Sequence, residues 1–307
     1  NQALSKTSVT ATAKTNASTL EFDFEFEGQA NAAFADKMRP FLQRLSEDMP
    51  WMLQYHLNIQ SSNTFPHSSG IASSASAYSA LALCFCSLHE QISGQALDMF
   101  FQTASHYARI GSGSACRSVY GGFNLWGTCN ELPDSANEYA INIDDQVHPV
   151  FKHFQDTILI VERGKKSVSS TAGHALLKQH PFAEKRFNIA QQQTGQLLGI
   201  LKSGDLAAFI KLVESEAYML HAMMMTSNPY YLLIKPNTLN IINEIWNYRK
   251  NTNSEVCFTL DAGANIHMLY PKKNFNTIQK FINEKLSKYC QKGEFINDHV
   301  GYGPNKL

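Results

Sequence analysis

Residues 63–76 read NTFPHSSGIASSAS, a Ser/Gly-rich stretch between two patterned segments. Before it, Tyr55, Leu57 and Ile59 alternate as a half-buried strand does. After it, Ala77, Ala80, Leu81, Cys84, Phe85 and Leu88 recur at helical spacing. The chain is therefore committed here to a strand–loop–helix unit. Gly70 permits a turn that a side chain would obstruct, and Ser68, Ser69, Ser73 and Ser74 supply hydroxyls. The first N–H groups of the following helix have no intrahelical partner, and they sit at the positive end of its dipole. That combination suits a phosphate chain. The plainer reading, a flexible connector, fits less well because a core-facing helix follows at once.

Composition narrows the partners. Lys+Arg and Asp+Glu are 26 each over 307 residues, so no global field favours nucleic acid or an anionic membrane. Any anion site must be made locally. No run of about 18 apolar residues occurs, so no spanning helix is expected, and the first residues lack the apolar core of a secretory signal. Six cysteines (Cys84, Cys86, Cys116, Cys129, Cys257 and Cys290) show no CxxC spacing. Buried free thiols in a reducing cytoplasm are expected rather than disulfides or zinc. His148 and His153 beside Asp144 and Asp145 read as a solvated loop before they read as a metal site.

Further along the chain, LEFDFEFE at 20–27 alternates as a strand. Phe34, Met38, Phe41, Leu42 and Leu45 then predict a helix that Pro40 should weaken or kink. Leu97, Phe100, Phe101, Ala104 and Ala108 predict a second helix, and VYGGFNLW at 119–126 a strand. A change of character near residue 150 places the domain boundary there, giving units 1–150 and 151–307. The second unit reads as a strand at 157–161, helices over 171–225 and 237–249, strands at 256–260 and 266–270, and a helix at 274–290. With one more strand after it, that order is a split β-α-β arrangement in an α+β protein.

Three clusters could carry chemistry. GSGSACRS at 111–118 sets Ser112, Ser114 and Arg117 in one tight turn, where a guanidinium can grip a carboxylate or phosphate through paired bonds. A capping loop with an exposed arginine is the plainer alternative. Asp261, where an apolar strand meets Ala-Gly, is a turn-forming aspartate on sequence alone. It could also be a carboxylate aimed into a cleft. Ser169, Ser170 and Thr171 behind Lys165 and Lys166 suit either a helix N-cap or a ligand contact. Met223, Met224 and Met225 read as core packing.

Taken together, NTFPHSSGIASSAS, ASHYARIGSGSACRSVYGGFNLW, VSSTAGH, LHAMMMTSNPYY and FTLDAGANIHMLY resemble the diphosphomevalonate decarboxylase family of the GHMP kinase superfamily. They occur in the family's order and cover nearly the whole chain. The resemblance implies a two-domain GHMP-kinase-like fold with a ferredoxin-like second domain and a cleft between the two. It implies ATP and Mg2+ as cofactors and mevalonate 5-diphosphate as substrate, which is decarboxylated to isopentenyl diphosphate in the cytoplasm, and it suggests a homodimer. By motif, Pro66, Ser68, Ser69, Gly70, Ala72, Ser73 and Ser74 would cradle the ATP phosphates, with Ser74 near Mg2+. Ser112, Gly113, Ser114, Ala115, Cys116 and Arg117 would hold the substrate, joined by Ser170 and Thr171. Arg117 would face the carboxylate and Asp261 the 3-hydroxyl. Alternatives are a phosphomevalonate decarboxylase, a mevalonate 3-kinase-like enzyme or a non-catalytic nucleotide-binding relative. The family opens with a strand and a loop rich in Lys, Tyr, Trp and Gly, whereas this chain opens at NQALS. A start shortened relative to the family is the expectation.

Overall fold

The acidic alternation forms strand β2 (Glu21–Phe26), which buries Phe24 between half-buried Phe22 and Phe26. It runs parallel to β4 (Tyr55–Asn63) and antiparallel to the short β3 (Gln29–Ala30). A strand not foreseen in the sequence, β1 (Ser5–Ala13), pairs antiparallel with the whole of β4, from Ser5↔Asn63 to Ala13↔Tyr55. Apart from Lys6 its residues are Ser, Thr and Ala around a single Val9, so hydrophobic alternation could not announce it. On its inner face the Thr7 and Ser61 hydroxyls meet at 3.1 Å. The first sheet therefore has the order β1-β4-β2-β3. The computed structural model from which this fold is taken describes residues 4–15, 18–65, 73–164, 173, 175–177 and 179–306.

Helix α1 (Ala32–Asp48) is capped by the Asn31 side chain, which accepts the Phe34 N–H at 3.1 Å, and it buries Met38, Phe41, Leu42 and Leu45. It runs through Pro40 without ending. Pro40 lies on the exposed face, where water can satisfy the carbonyl that the missing N–H would have served. Helix α2 (Ser73–Ser93) buries Ala75, Ser79, Leu81, Ala82, Phe85 and Cys86. Of the predicted stripe, Leu81 and Phe85 are fully buried, while Ala77, Ala80, Cys84 and Leu88 are only half-buried. The burial is broad because α2 packs against both β1 and α3 (Phe100–Gly111), so one narrow stripe is not its only covered side. These elements share the first core, from Phe24 to Val119.

The stretch predicted as a strand over 119–126 is one only at β5 (Asn124–Trp126), paired with β6 (Ala140–Asn142). The residues before it form a 3-10 turn, Gly113–Val119.

The second sheet is fully antiparallel, in the order β10-β7-β9-β8, from β7 (Phe154–Leu159), β8 (Cys257–Leu260), β9 (Ile266–Pro271) and β10 (Phe295–His299). Three long helices, α4 (Ala183–Ser203), α5 (Leu206–Met225) and α6 (Pro236–Thr252), separate β7 from β8, and α7 (Phe275–Phe281) separates β9 from β10. This is the expected split β-α-β arrangement. The predicted helix at 274–290 breaks after Phe281 into a π turn and a 3-10 turn. A second core covers this sheet. A third gathers Leu125, Ile143 and Val147 with Phe151, Leu198 and Phe209, drawing residues from both sides of position 150. All six cysteines are free and all but Cys84 are buried, and no helix among the described residues is long and apolar enough to cross a membrane.

Candidate active site

Two of the sequence-derived segments meet at the start of α2. Ser74 is exposed there, and its hydroxyl lies 3.4 Å from that of Ser112, 38 positions along the chain. The start of α2 and the arginine turn thus present their hydroxyls to a common space. Pro66, Ser68, Ser69, Gly70 and Ala72 of the loop lie outside the described residues, as do Ser170 and Thr171.

The arginine turn is shaped from beneath. Helix α3 ends at Gly111, where an added Cβ would lie 2.1 Å from the Tyr78 ring, itself packed edge-on against Phe41 at 5.1 Å. Only glycine lets α2 and α3 close on each other at that level. Ser112 is extended, and its carbonyl accepts the Ala115 N–H at 2.8 Å as the chain winds into the 3-10 turn. Gly113 faces Trp126, whose ring would stand 3.0 Å from a Cβ there. Ala115 and Cys116 are fully buried and so fix the turn's inner side, while Arg117 projects outward. Burial pushes the Cys116 thiol up to about 11, so it is neutral and serves as a packing group. Its Sγ donates to the Gly113 carbonyl at 3.1 Å.

Ser105, buried in α3, completes the support. Its hydroxyl donates to the Cys116 carbonyl at 2.8 Å and accepts the Ala140 N–H at 2.8 Å, binding α3, the turn and β6 together. The Arg117 guanidinium pairs with no carboxylate among the described residues. A planar fork with no carboxylate partner among the described residues, held on a rigid turn, is suited to a carboxylate or phosphate ligand.

Asp261 lies at the end of β8, exposed, where the strand turns into β9. Buried polar groups hold that turn. Thr238 accepts the Lys235 N–H at 3.1 Å and donates to the Ala264 carbonyl at 2.8 Å. Asn265, also buried, accepts the Glu162 N–H at 3.0 Å through Oδ1. The Asp261 carbonyl takes the Gly263 N–H at 2.7 Å and a contact from His221 on α5. The carboxylate therefore leaves a backbone that cannot easily reorient.

Sequence reasoning singled out Ser74, Ser112, Arg117 and Asp261 and passed over Ser105, His221, Thr238 and Asn265, whose partners lie far along the chain. One signal was available: His221 is a lone imidazole in the apolar run LHAMMM. The acid–histidine group near 148 makes other contacts. Asp144 accepts the Phe123 N–H and pairs with Lys152 at 3.2 Å, and His148 accepts the Val150 N–H. Among the described residues no group of three or more His, Cys, Asp or Glu is placed to hold a metal ion.

Two family models match the chain: the diphosphomevalonate decarboxylase-like N-terminal domain over residues 1–137 and the mevalonate 5-diphosphate decarboxylase C-terminal domain over 157–303. A diphosphomevalonate decarboxylase of Ganoderma lucidum is 29% identical over 271 residues, covering 86% of this chain and 64% of that protein. One from Saccharomyces cerevisiae is 28% identical over 251 residues, covering 80% and 61%. The chain therefore spans less than two thirds of these relatives' length. Among solved structures, the mevalonate diphosphate decarboxylase of Legionella pneumophila superposes with a TM-score of 0.79 at 25% identity, covering 94% of this chain and 87% of that one. A complex of MDDEF with MVAPP, AMPPCP and magnesium superposes with a TM-score of 0.80 at 24% identity, covering 99% and 86%.

Proposed function

The chain belongs to the diphosphomevalonate decarboxylase family, and on that premise we propose that it converts mevalonate 5-diphosphate and ATP to isopentenyl diphosphate, ADP, phosphate and CO2. The observation that carries this reading is the meeting of the hydroxyl-rich start of α2 with the arginine turn, Ser74 3.4 Å from Ser112, in a chain that also ends β8 in an exposed carboxylate, Asp261. MVAPP, AMPPCP and magnesium bound to a relative of the same fold support the same ligand classes here.

The chemistry asks for these groups. A tertiary alcohol leaves poorly until its oxygen is phosphorylated by ATP. When the C3–O bond then breaks, positive character grows at C3 and the C1–C2 bonding electrons form the C2=C3 double bond as CO2 departs. Asp261 accepts the hydroxyl proton during phosphorylation and, once that proton has passed to solvent, stabilises the cationic centre as a carboxylate. Arg117 fixes the substrate carboxylate through its fork. A contact that favoured the bound carboxylate over the transition state would slow its loss, so orientation is the useful part of that role. Ser112 and Ser114, with the Gly113, Ala115 and Cys116 backbone, line the substrate side, joined by Ser170 and Thr171. Residues 66–72 with Ser73 cradle the nucleotide phosphates.

The exposed Ser74 hydroxyl, converging with Ser112, offers the hard oxygen donors that Mg2+ prefers. That ion would neutralise phosphate charge during transfer. We also place the boundary between the two units near residue 150 and the enzyme in the cytoplasm, where ATP is at hand and six free thiols persist.

Purified full-length protein should release phosphate and CO2 in equal amounts from mevalonate 5-diphosphate and ATP, with little turnover of the 5-monophosphate. Phosphate without CO2 would mean a 3-kinase, and preference for the monophosphate a different decarboxylase. Asp261→Asn should abolish release of both products while ATP affinity stays within about twofold, since the base touches no nucleotide in this reading.

A further inference from the structure

The Asp261 side chain is exposed, but its backbone carbonyl is held from below by His221, whose Nε2 lies 3.1 Å from the oxygen. A carbonyl only accepts, so Nε2 carries the hydrogen and the ring is a donor at that atom. His221 is 2% exposed and sits on α5 near buried Ala217, Met223 and Met224. Burial pushes its pKa below the ordinary imidazole value, against the opposing pull of the Asp261 carbonyl and carboxylate. The ring is therefore neutral at physiological pH and acts on Asp261 through its hydrogen bond. Gly263 occupies the other lone pair of the same oxygen at 2.7 Å.

We propose that His221 is a positioning residue for Asp261: its Nε2–H locks the Asp261–Ala262 peptide and so sets the direction in which the carboxylate leaves the end of β8. This assignment rests on the reading of Asp261 as the group that meets the 3-hydroxyl. Rigid support of this kind matters because misplacing a catalytic group by about 1 Å can cost on the order of a hundredfold in rate.

Two polar substitutions separate positioning from packing. Glutamine can set its amide nitrogen close to the place of Nε2, whereas asparagine reaches only the place of Nδ1. In the full-length enzyme, His221→Gln should keep kcat for CO2 release within about threefold, and His221→Asn should lose about tenfold or more, with KM for ATP unchanged in both. Equal kcat values for the two variants in an active enzyme, or a loss carried by KM for ATP, would overturn the assignment alone. An unmutated enzyme that releases no CO2 would overturn the Asp261 reading and this assignment with it. Nitrogen NMR of histidine-labelled unmutated protein gives a test that needs no variant to fold. A neutral Nε2–H tautomer is expected for His221, and an Nδ1–H tautomer would exclude the bond to Asp261.

Discussion

Arg117 and Asp261 differ in how their surroundings constrain them. Arg117 is exposed on a turn whose preceding residues, Ala115 and Cys116, are wholly buried. The backbone is fixed and the side chain is free to present its fork. Arg117→Lys keeps the charge but replaces two parallel N–H donors by a point charge. Turnover should fall by about tenfold or more at unchanged ATP affinity, as steady-state kinetics with each substrate varied would reveal. A rate within about twofold would remove Arg117 from the carboxylate role. Both residues stand out in the sequence because their types and local spacing, Gly-Ser-Gly-Ser before the arginine and Ala-Gly after the aspartate, are themselves short-range signals. Ser105, Thr238 and Asn265 gave no such signal. A serine in a helix usually faces solvent, and only its bonds to Cys116 and Ala140 show that this one joins three elements.

At the level of elements, that bridge makes the arginine turn dependent on a buried hydroxyl. Ser105→Ala would leave the Cys116 carbonyl and the Ala140 N–H without their partner in a fully buried place. Each stranded group costs about 1–3 kcal/mol, and a loss of that size lowers Tm by several degrees in a protein of this length. Calorimetry should show the drop. A Tm within about a degree of the unmutated protein would show that water replaces the hydroxyl. Elements with long-period patterns were legible in the sequence: α1, α2, α3 and the strands flanking Asp261 fall where periodicity puts them. The exceptions have physical causes. β1 is built from hydroxyl and small residues that pair well without a hydrophobic face. Residues 119–123 look like strand material, but Val119 ends a 3-10 turn and the residues after it are irregular, with Gly122 at a φ of +63° that a strand does not adopt.

The whole molecule depends on ties that no local pattern announces. The two sheets come from opposite ends of the chain, yet the third core takes residues from both sides of position 150. Beyond β10, segment 300–306 runs from the second sheet back to the first half. Gly301 accepts the Gly122 N–H at 2.9 Å, and Lys306 donates to Ser87 on α2 at 3.4 Å. Gly121 makes this approach possible, since a Cβ there would lie 2.4 Å from the Tyr302 carbonyl carbon and oxygen. The obstruction is backbone, which cannot rotate aside as a side chain could. Gly121 is four residues after Arg117, so the segment also steadies the exit of the arginine turn. Gly121→Ala should therefore displace the segment, break the Gly122–Gly301 bond and cost about 1–3 kcal/mol, the usual range for overpacking. Hydrogen exchange would report it most directly, through faster exchange across 300–306 and at the Gly122 amide while the β7–β9 ladder keeps its protection. Unchanged exchange in the segment would show that it is held by its other contacts and that the tie at Gly121 is dispensable.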